Sequence, residues 1–425
     1  MQRRRFLSLT AAGAATAAVT PTLAACGADS GSGDVRLKLV AADYGDTSTN
    51  SSLNYWGDLA RAFETKHSNI KIDVNVFGWA DIDKKVAQMI DSGDTPDLVQ
   101  FGTYADFAAK GMLYRADQIL SVRTQASFPT AITRAGEVKR VQYAMPFGAS
   151  TRLLFYNKKL FSEAGVLKPP TDWDELQAAA EKLKAIGVKY PYALPLGREE
   201  AQAETLIWLL SGGGGYTDGY GSYMLDSPEN VETLEWLRDE LVGKGLTGPT
   251  APGKLNRQDA FNAFTRGEVG MLNGHPTLMQ QVVGHRIEYD VAPLPGRDGP
   301  ASTTMGVADW MMAFKKNGHR KEIGEFLDFV YSEPNVVEFC AKYRLLPVTT
   351  EASDTMRRND EYKSLWQFLD GLETAQFYPF DKTSWAKVNQ KLRDSVGTMV
   401  AKGGDPSTAL GEIQRAADAT ENEER

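Results

Sequence analysis

Cysteine is nearly absent: Cys26 and Cys340 are the only two among 425 residues. They build neither a disulfide framework nor a CxxC metal site. Histidine is as scarce, and His67, His275, His285 and His319 are scattered without an HExxH pair, so zinc hydrolysis has no motif. No GxSxG elbow is present for a serine triad. Excess positive charge is missing as well: 47 Lys+Arg face 55 Asp+Glu, a net charge of −8. A nucleic-acid binder needs the opposite balance to displace counterions from phosphates. No run of about 18 strongly apolar residues occurs, so the body of the chain holds no membrane span. What remains is a globular composition, 42% hydrophobic and 24% charged. The chain is too long for one compact core, and two or three domains are expected.

Residues 1–25 read as an export signal. Arg3-Arg4-Arg5 opens the chain, Phe6-Leu7-Ser8-Leu9-Thr10 follows, and a small-residue stretch ends at Leu23-Ala24-Ala25-Cys26. Arg3-Arg4-x-Phe6-Leu7 resembles the twin-arginine motif, with Gln2 and Ser8 departing from its flanks. Leu23-Ala24-Ala25-Cys26 resembles the bacterial lipobox, in which the cysteine is lipidated and becomes the mature N-terminus; cleavage at an Ala-x-Ala site without lipid is the alternative. Cleavage before Cys26 removes three of the 47 basic residues and no acid, leaving 44 against 55, or −11. Two acyl chains anchor stably where one is marginal. Residues 26–34, rich in Gly, Ser and Asp, read as a flexible tether reaching about 16 Å. Cys340, on the apolar side of Val336-Val337-Glu338-Phe339-Cys340, reads as an inert core thiol.

The body alternates strand and helix periodicity. Val35, Leu37, Leu39 and Ala41 alternate with polar residues, then Leu53, Trp56, Leu59, Ala60 and Phe63 recur at helical spacing. Ile70, Ile72, Val74 and Val76 form a second strand, Ile82, Val86 and Ile90 a helix, and Pro96 to Phe101 a third, buried strand. This order predicts a parallel sheet, whose ligands sit beyond the carboxyl ends of its strands. Asp43-Tyr44, Gly78-Trp79-Ala80-Asp81 and Gln100 to Tyr104 lie there. Further strands are expected at Leu153 to Tyr156, Val269 to Leu272, Tyr289 to Ala292 and Trp310 to Phe314, the rest being mostly helical. Gly212-Gly213-Gly214-Gly215 follows a helix and lacks the GxxxxGK[ST] pattern, so it reads as a turn or hinge and not a phosphate loop.

Four ordered motifs carry a resemblance. Leu154-Phe155-Tyr156-Asn157-Lys158-Lys159-Leu160-Phe161 with Pro169-Pro170 and Thr171-Asp172-Trp173-Asp174-Glu175-Leu176 resembles the core segment of family 1 extracellular solute-binding proteins, the maltose-binding-protein-like receptors of bacterial ABC importers. Gly93-Asp94-Thr95-Pro96-Asp97-Leu98 with Gly111-Met112-Leu113, the stretch from Ala260 to Met271 with Gly274, and the stretch from Gly306 to Lys315 are similar to successive elements of that family. The similarity spans residues 35–420. It implies an α/β, two-lobed periplasmic-binding-protein fold of type II, each lobe a mainly parallel sheet flanked by helices, with the ligand cleft between. Residues 35–147 and 307–346 would form one lobe, 148–306 and 347–425 the other, with crossings near residues 146–151, 304–307 and 345–348.

Sugar binding combines aromatic faces against C–H faces with polar side chains that order hydroxyls. Trp56, Trp173, Trp208 and Trp236 sit on apolar helix faces and read as core. Trp79 follows the second strand, whereas Trp310 and Trp385 are candidates through the resemblance. Polar candidates are Asp43, Asp81, Gln100, Thr103, Ser150, Glu204, Asn273 and Asp309, with Tyr44 and His275; a capping or turn role is the alternative for each. The family often has an aromatic just after the position of Gly274, whereas His275-Pro276 stands here, so Tyr216 or Trp385 would supply that ring. The resemblance implies a carbohydrate ligand, ABC permease partners and no cofactor; the missing catalytic motifs lead to an expectation of no turnover, the lipobox to one of a lipid anchor on the outer face of the cell membrane, and a monomer is expected. A receptor for a polyamine, glycerophosphodiester or metal ion stays open, as does a secreted glycosidase using paired carboxylates.

Overall fold

The computed structural model describes residues 34–45, 50–79 and 81–423. The export signal, Cys26, the tether up to residue 33 and Ala80 lie outside the described residues. β1 (Val35–Ala42), α1 (Ser52–Lys66), β2 (Ile70–Phe77), α2 (Ile82–Asp91) and β3 (Leu98–Phe101) follow one another as the periodicity predicts. Ser51 caps α1 by accepting from the Leu53 amide, and Tyr55, Trp56, Leu59, Ala60 and Phe63 turn its apolar stripe inward. β1 pairs in parallel with β2 and β3. Asp97, just before β3, is buried and accepts the Lys38 amide at 2.8 Å, fixing the strand entry.

A small hairpin, β4 (Glu137–Val138) and β5 (Val141–Gln142), precedes β6 (Met145–Ser150), β7 (Leu153–Asn157), β8 (Tyr190–Tyr192), β9 (Val269–Gly274), β10 (Tyr289–Ala292) and β11 (Val307–Ala313). The first main sheet has the order β2-β1-β3-β11-β6 and the second β10-β7-β9-β8. The expectation of two mainly parallel sheets is corrected here. β11 lies antiparallel to both β3 and β6, and in the second sheet only the β8–β9 pair is parallel. A strand that re-enters a sheet from the neighbouring one, without a crossover helix, arrives running the opposite way.

Three segments link the sheets. Between β6 and β7 lie Thr151 and Arg152; Thr304, before β11, donates to the Arg152 carbonyl at 2.9 Å and accepts its amide at 3.3 Å. Leu346 bridges Ala149 on β6 through a bond in each direction. The segment after residue 372 adds a fourth partner, Gln376 bridging the Thr304 carbonyl and the Gly306 amide. Gly306 is required there, because a Cβ would sit 2.7 Å from the Phe377 ring and 2.9 Å from Ala375 Cβ.

Two apolar clusters form the core. One joins α1, the first sheet and Phe339–Tyr343 aromatics to part of the second sheet; the other gathers Trp173, Trp208, Leu234, Leu392 and Leu410. Trp173 and Trp208 are buried core tryptophans, and the half-buried Trp236 packs against them at 4.7 Å and 5.8 Å. Gly212 to Gly215 end the helix Ala201–Ser211, and Asn230 clasps Gly215 through its amide and carbonyl. Cys340 is buried, and burial raises its thiol far above the ordinary range.

Candidate functional site

The first wall forms at the carboxyl ends of β1, β2 and β3. Tyr44 leaves β1 and donates its hydroxyl to Asp309 Oδ2 at 2.6 Å. Gln100 on β3 is fully buried, accepting the Ala42 amide at 3.2 Å and donating to the Tyr44 oxygen at 2.7 Å. Burial drives the Tyr44 hydroxyl well above its ordinary range, with Asp309 adding to the effect, so it stays a donor. Burial also pushes Asp309 up to about 6 against the hydrogen bond from Tyr44. Trp79, 44% exposed, stands edge-on to Tyr44 at 5.3 Å. Asp43 Oδ1 accepts the amides of Gly45 and Ser52, a turn role. Asp81 and Thr103 are exposed.

The second wall is a polar network. Arg152 is buried at the first link, donating to Ser150 Oγ at 3.0 Å and to Glu200 Oε1 at 3.4 Å. Glu200 also pairs with Arg257, which donates to Glu199 at 2.7 Å and approaches His275 Nε2 at 3.4 Å. His275 meets Thr277 Oγ1 through Nδ1 at 2.6 Å, and burial between two arginines holds its ring well below the usual range, hence neutral. Glu204 Oε1 accepts from Trp208 Nε1 at 2.8 Å, Asn273 Nδ2 at 2.9 Å and the Tyr192 hydroxyl at 3.3 Å. Burial outweighs these donors and lifts Glu204 to about 7.

Between the sheets lies a cavity of about 720 Å³. Tyr44, Asn50, Tyr343 and Arg344 face it from one side, and Thr277, Gln280 and Tyr289 from the other. Tyr44 is the candidate from the sequence that reaches this cavity; Tyr289, Tyr343 and Arg344 were missed. Tyr289 lies on an expected strand, but nothing in an alternating pattern says which face is open. The Arg152, Glu200 and Arg257 cluster was missed as well, since its members are 105 residues apart.

Two tryptophans depart from expectation. Trp310 is fully enclosed, 0% exposed, between Tyr104 at 5.5 Å and Phe380 at 6.4 Å. Asp309 and Trp310 are neighbours on one strand and point to opposite faces, so turning Asp309 toward Tyr44 sends Trp310 into the core. Trp385 is likewise buried, packed at 5.3 Å against both Tyr216 and Tyr378. Tyr216 is buried too, its hydroxyl bound to the Gln202 carbonyl. No group of three or more His, Cys, Asp or Glu among the described residues could hold a metal ion, and none of the helices described there is long and apolar enough to cross a membrane.

Comparison with known proteins agrees with this geometry. The family described as bacterial extracellular solute-binding protein matches residues 46–337. A binding protein of Brucella abortus (strain 2308) is 27% identical over 374 residues, 86% of this chain and 89% of that protein. The sn-glycerol-3-phosphate-binding periplasmic protein of Escherichia coli (strain K12) is 27% identical over 232 residues, 52% of each chain. Among solved structures, the cyclic alpha-maltosyl-1,6-maltose binding protein of Arthrobacter globiformis has a TM-score of 0.77 at 19% identity, covering 91% of this chain and 99% of that one. An ABC substrate-binding protein of Listeria monocytogenes in complex with cycloalternan has a TM-score of 0.72 at 20% identity, covering 92% and 99%. At that identity the likeness establishes a shared two-lobed α/β fold.

Proposed function

Because the chain belongs to the bacterial extracellular solute-binding proteins, we propose that it captures a carbohydrate, an oligosaccharide, between its lobes and delivers it to an ABC-type importer. The observation that carries this reading is the 720 Å³ cavity faced from both sheets by three tyrosines and by amide and hydroxyl side chains. Ring faces shield the apolar C–H faces of a sugar, and the polar groups order its hydroxyls. Tyr44, Trp79 and Asp309 would hold it from the first lobe, and Thr277, Gln280 and Tyr289 from the second. Glu204, Asn273, Ser150 and His275 would support that second wall. Fold relatives whose names include maltose and cycloalternan ligands favour the same class. A thermal-shift screen of the mature domain against mono- and oligosaccharides tests it, since ligand at 100 times Kd adds about 2.7 kcal/mol. If no sugar shifted the transition while sn-glycerol 3-phosphate did, the second reading, suggested by the Escherichia coli relative, would replace it.

The lobes are assigned to residues 35–147 with 307–346 and to 148–306 with 347–425; the start of β11 at Val307 in the first sheet supports the second boundary, whereas β6 carries that sheet on to Ser150, past the first. The protein would act as a monomer and without turnover; hydrolysis of a bound sugar, lost on replacing a cleft carboxylate, would overturn the latter. Export by the twin-arginine route and lipidation of Cys26 rest on the N-terminal motifs. Cys26→Ala should release the protein or leave it as precursor, and a mutant anchored at mature size would refute the lipid anchor.

A further inference from the structure

Three arginines stand near the site, and two are committed. Arg152 and Arg257 are held by Glu200, Glu199 and Ser150 within their own wall. Arg344 differs. It faces the interlobe cavity, and among the described residues its side chain makes no hydrogen bond or ion pair. Among the described residues no carboxylate lines that cavity; its other ionisable walls there are the phenols of Tyr44, Tyr289 and Tyr343. The charge reaches across to the second sheet, where it favours ionisation of Tyr289 against burial and Asp290.

The backbone at Arg344 is unusual too. It closes the helix Glu333–Tyr343 in the left-handed region, at φ 53° and ψ 45°, with its amide bonded to the Cys340 carbonyl. That is the position a glycine fills without steric conflict, so a long cationic side chain there is carried at a conformational cost. The position is also fixed: Leu346, two residues on, bridges Ala149 on β6, just before the first link between the sheets. A guanidinium offers a rigid fork of donors that matches carboxylate and phosphate oxygens.

We propose that Arg344 is a specificity-determining residue that binds an anionic substituent, a carboxylate or phosphate ester, on the captured carbohydrate or polyol. This rests on the solute-binding reading and narrows its ligand class. The chemistry is shared by uronic acids and sugar or glycerol phosphates, and the test separates them. Calorimetry would compare trigalacturonate, sn-glycerol 3-phosphate and maltotriose against the wild-type protein and Arg344→Gly. The glycine relaxes the left-handed backbone, so loss of folding does not obscure the result. At least one acidic probe should bind the wild type and weaken about ten- to a hundredfold in the variant, with a thermal midpoint equal or higher. Which probe binds identifies carboxylate or phosphate. If maltotriose alone bound, the proposal would fall while the carbohydrate reading stood. Equal affinity of an acidic probe for both proteins would also refute it, and binding of none of the three would refute it as well, the carbohydrate reading then being decided by the thermal-shift screen.

Discussion

Tyr44 donates to Asp309 at 2.6 Å across 265 residues of sequence. This bond ties the end of the first strand to β11, and of the two groups Tyr44 reaches the cavity between the sheets. Gln100, buried beneath, holds the Tyr44 oxygen from the other side.

Replacing Tyr44 by Phe leaves the Gln100 amide without its acceptor and Asp309 without its donor. An unpaired buried polar group costs about 1–3 kcal/mol, and of the two Gln100 is the fully buried one. Tyr44→Phe should therefore lower stability by about 1–3 kcal/mol in urea unfolding and weaken ligand. An unchanged midpoint would mean that water readily substitutes for the phenol.

Stability should depend on pH through Glu204. Its folded value of about 7 is above the ordinary 4.5, so the folded state holds this proton more tightly. The contribution is full below about 4.5 and is lost as pH rises through 7; Asp309, lifted to about 6, acts in the same direction at lower pH. Wild-type protein should lose thermal stability from pH 5 to pH 8. Glu204→Gln keeps an acceptor for Trp208 and Asn273 while removing the titration, so its profile should be flatter. Parallel curves for the two proteins would contradict the assignment.

Trp79 and Trp310 should separate binding from folding. Trp310→Ala empties a fully enclosed site and should cost about 3–5 kcal/mol of stability. Trp79→Ala removes a half-exposed ring and should leave folding nearly unchanged while weakening ligand by about 1–3 kcal/mol. Denaturation and calorimetry on both variants decide, and a destabilised Trp79→Ala would place that ring in the core.

Gly306 has no room for a side chain between Phe377 and Ala375. Gly306→Ala should displace the strap that pairs at Gln376, lowering the thermal midpoint and altering lobe closure. Small-angle scattering with and without ligand reports the second effect; an unperturbed midpoint would show that Phe377 yields freely.

The strands and helices were legible in the sequence because burial on one face imposes a period. Alternation marked Ile70–Phe77, and helical spacing marked Ser52–Lys66. The order of those elements, with the quoted motifs, was enough for the family. Periodicity, however, says which residues turn inward and not what they turn toward. Trp310 and Asp309 are adjacent in sequence, and only the pairing of their strand with Phe101 and Pro146 decides that one is core and the other faces Tyr44. The antiparallel entry of β11, the pairing of Arg152 with Glu200, and the left-handed Arg344 over the cavity likewise join or orient residues through links between lobes. Such contacts depend on where distant segments meet, which local patterning cannot encode.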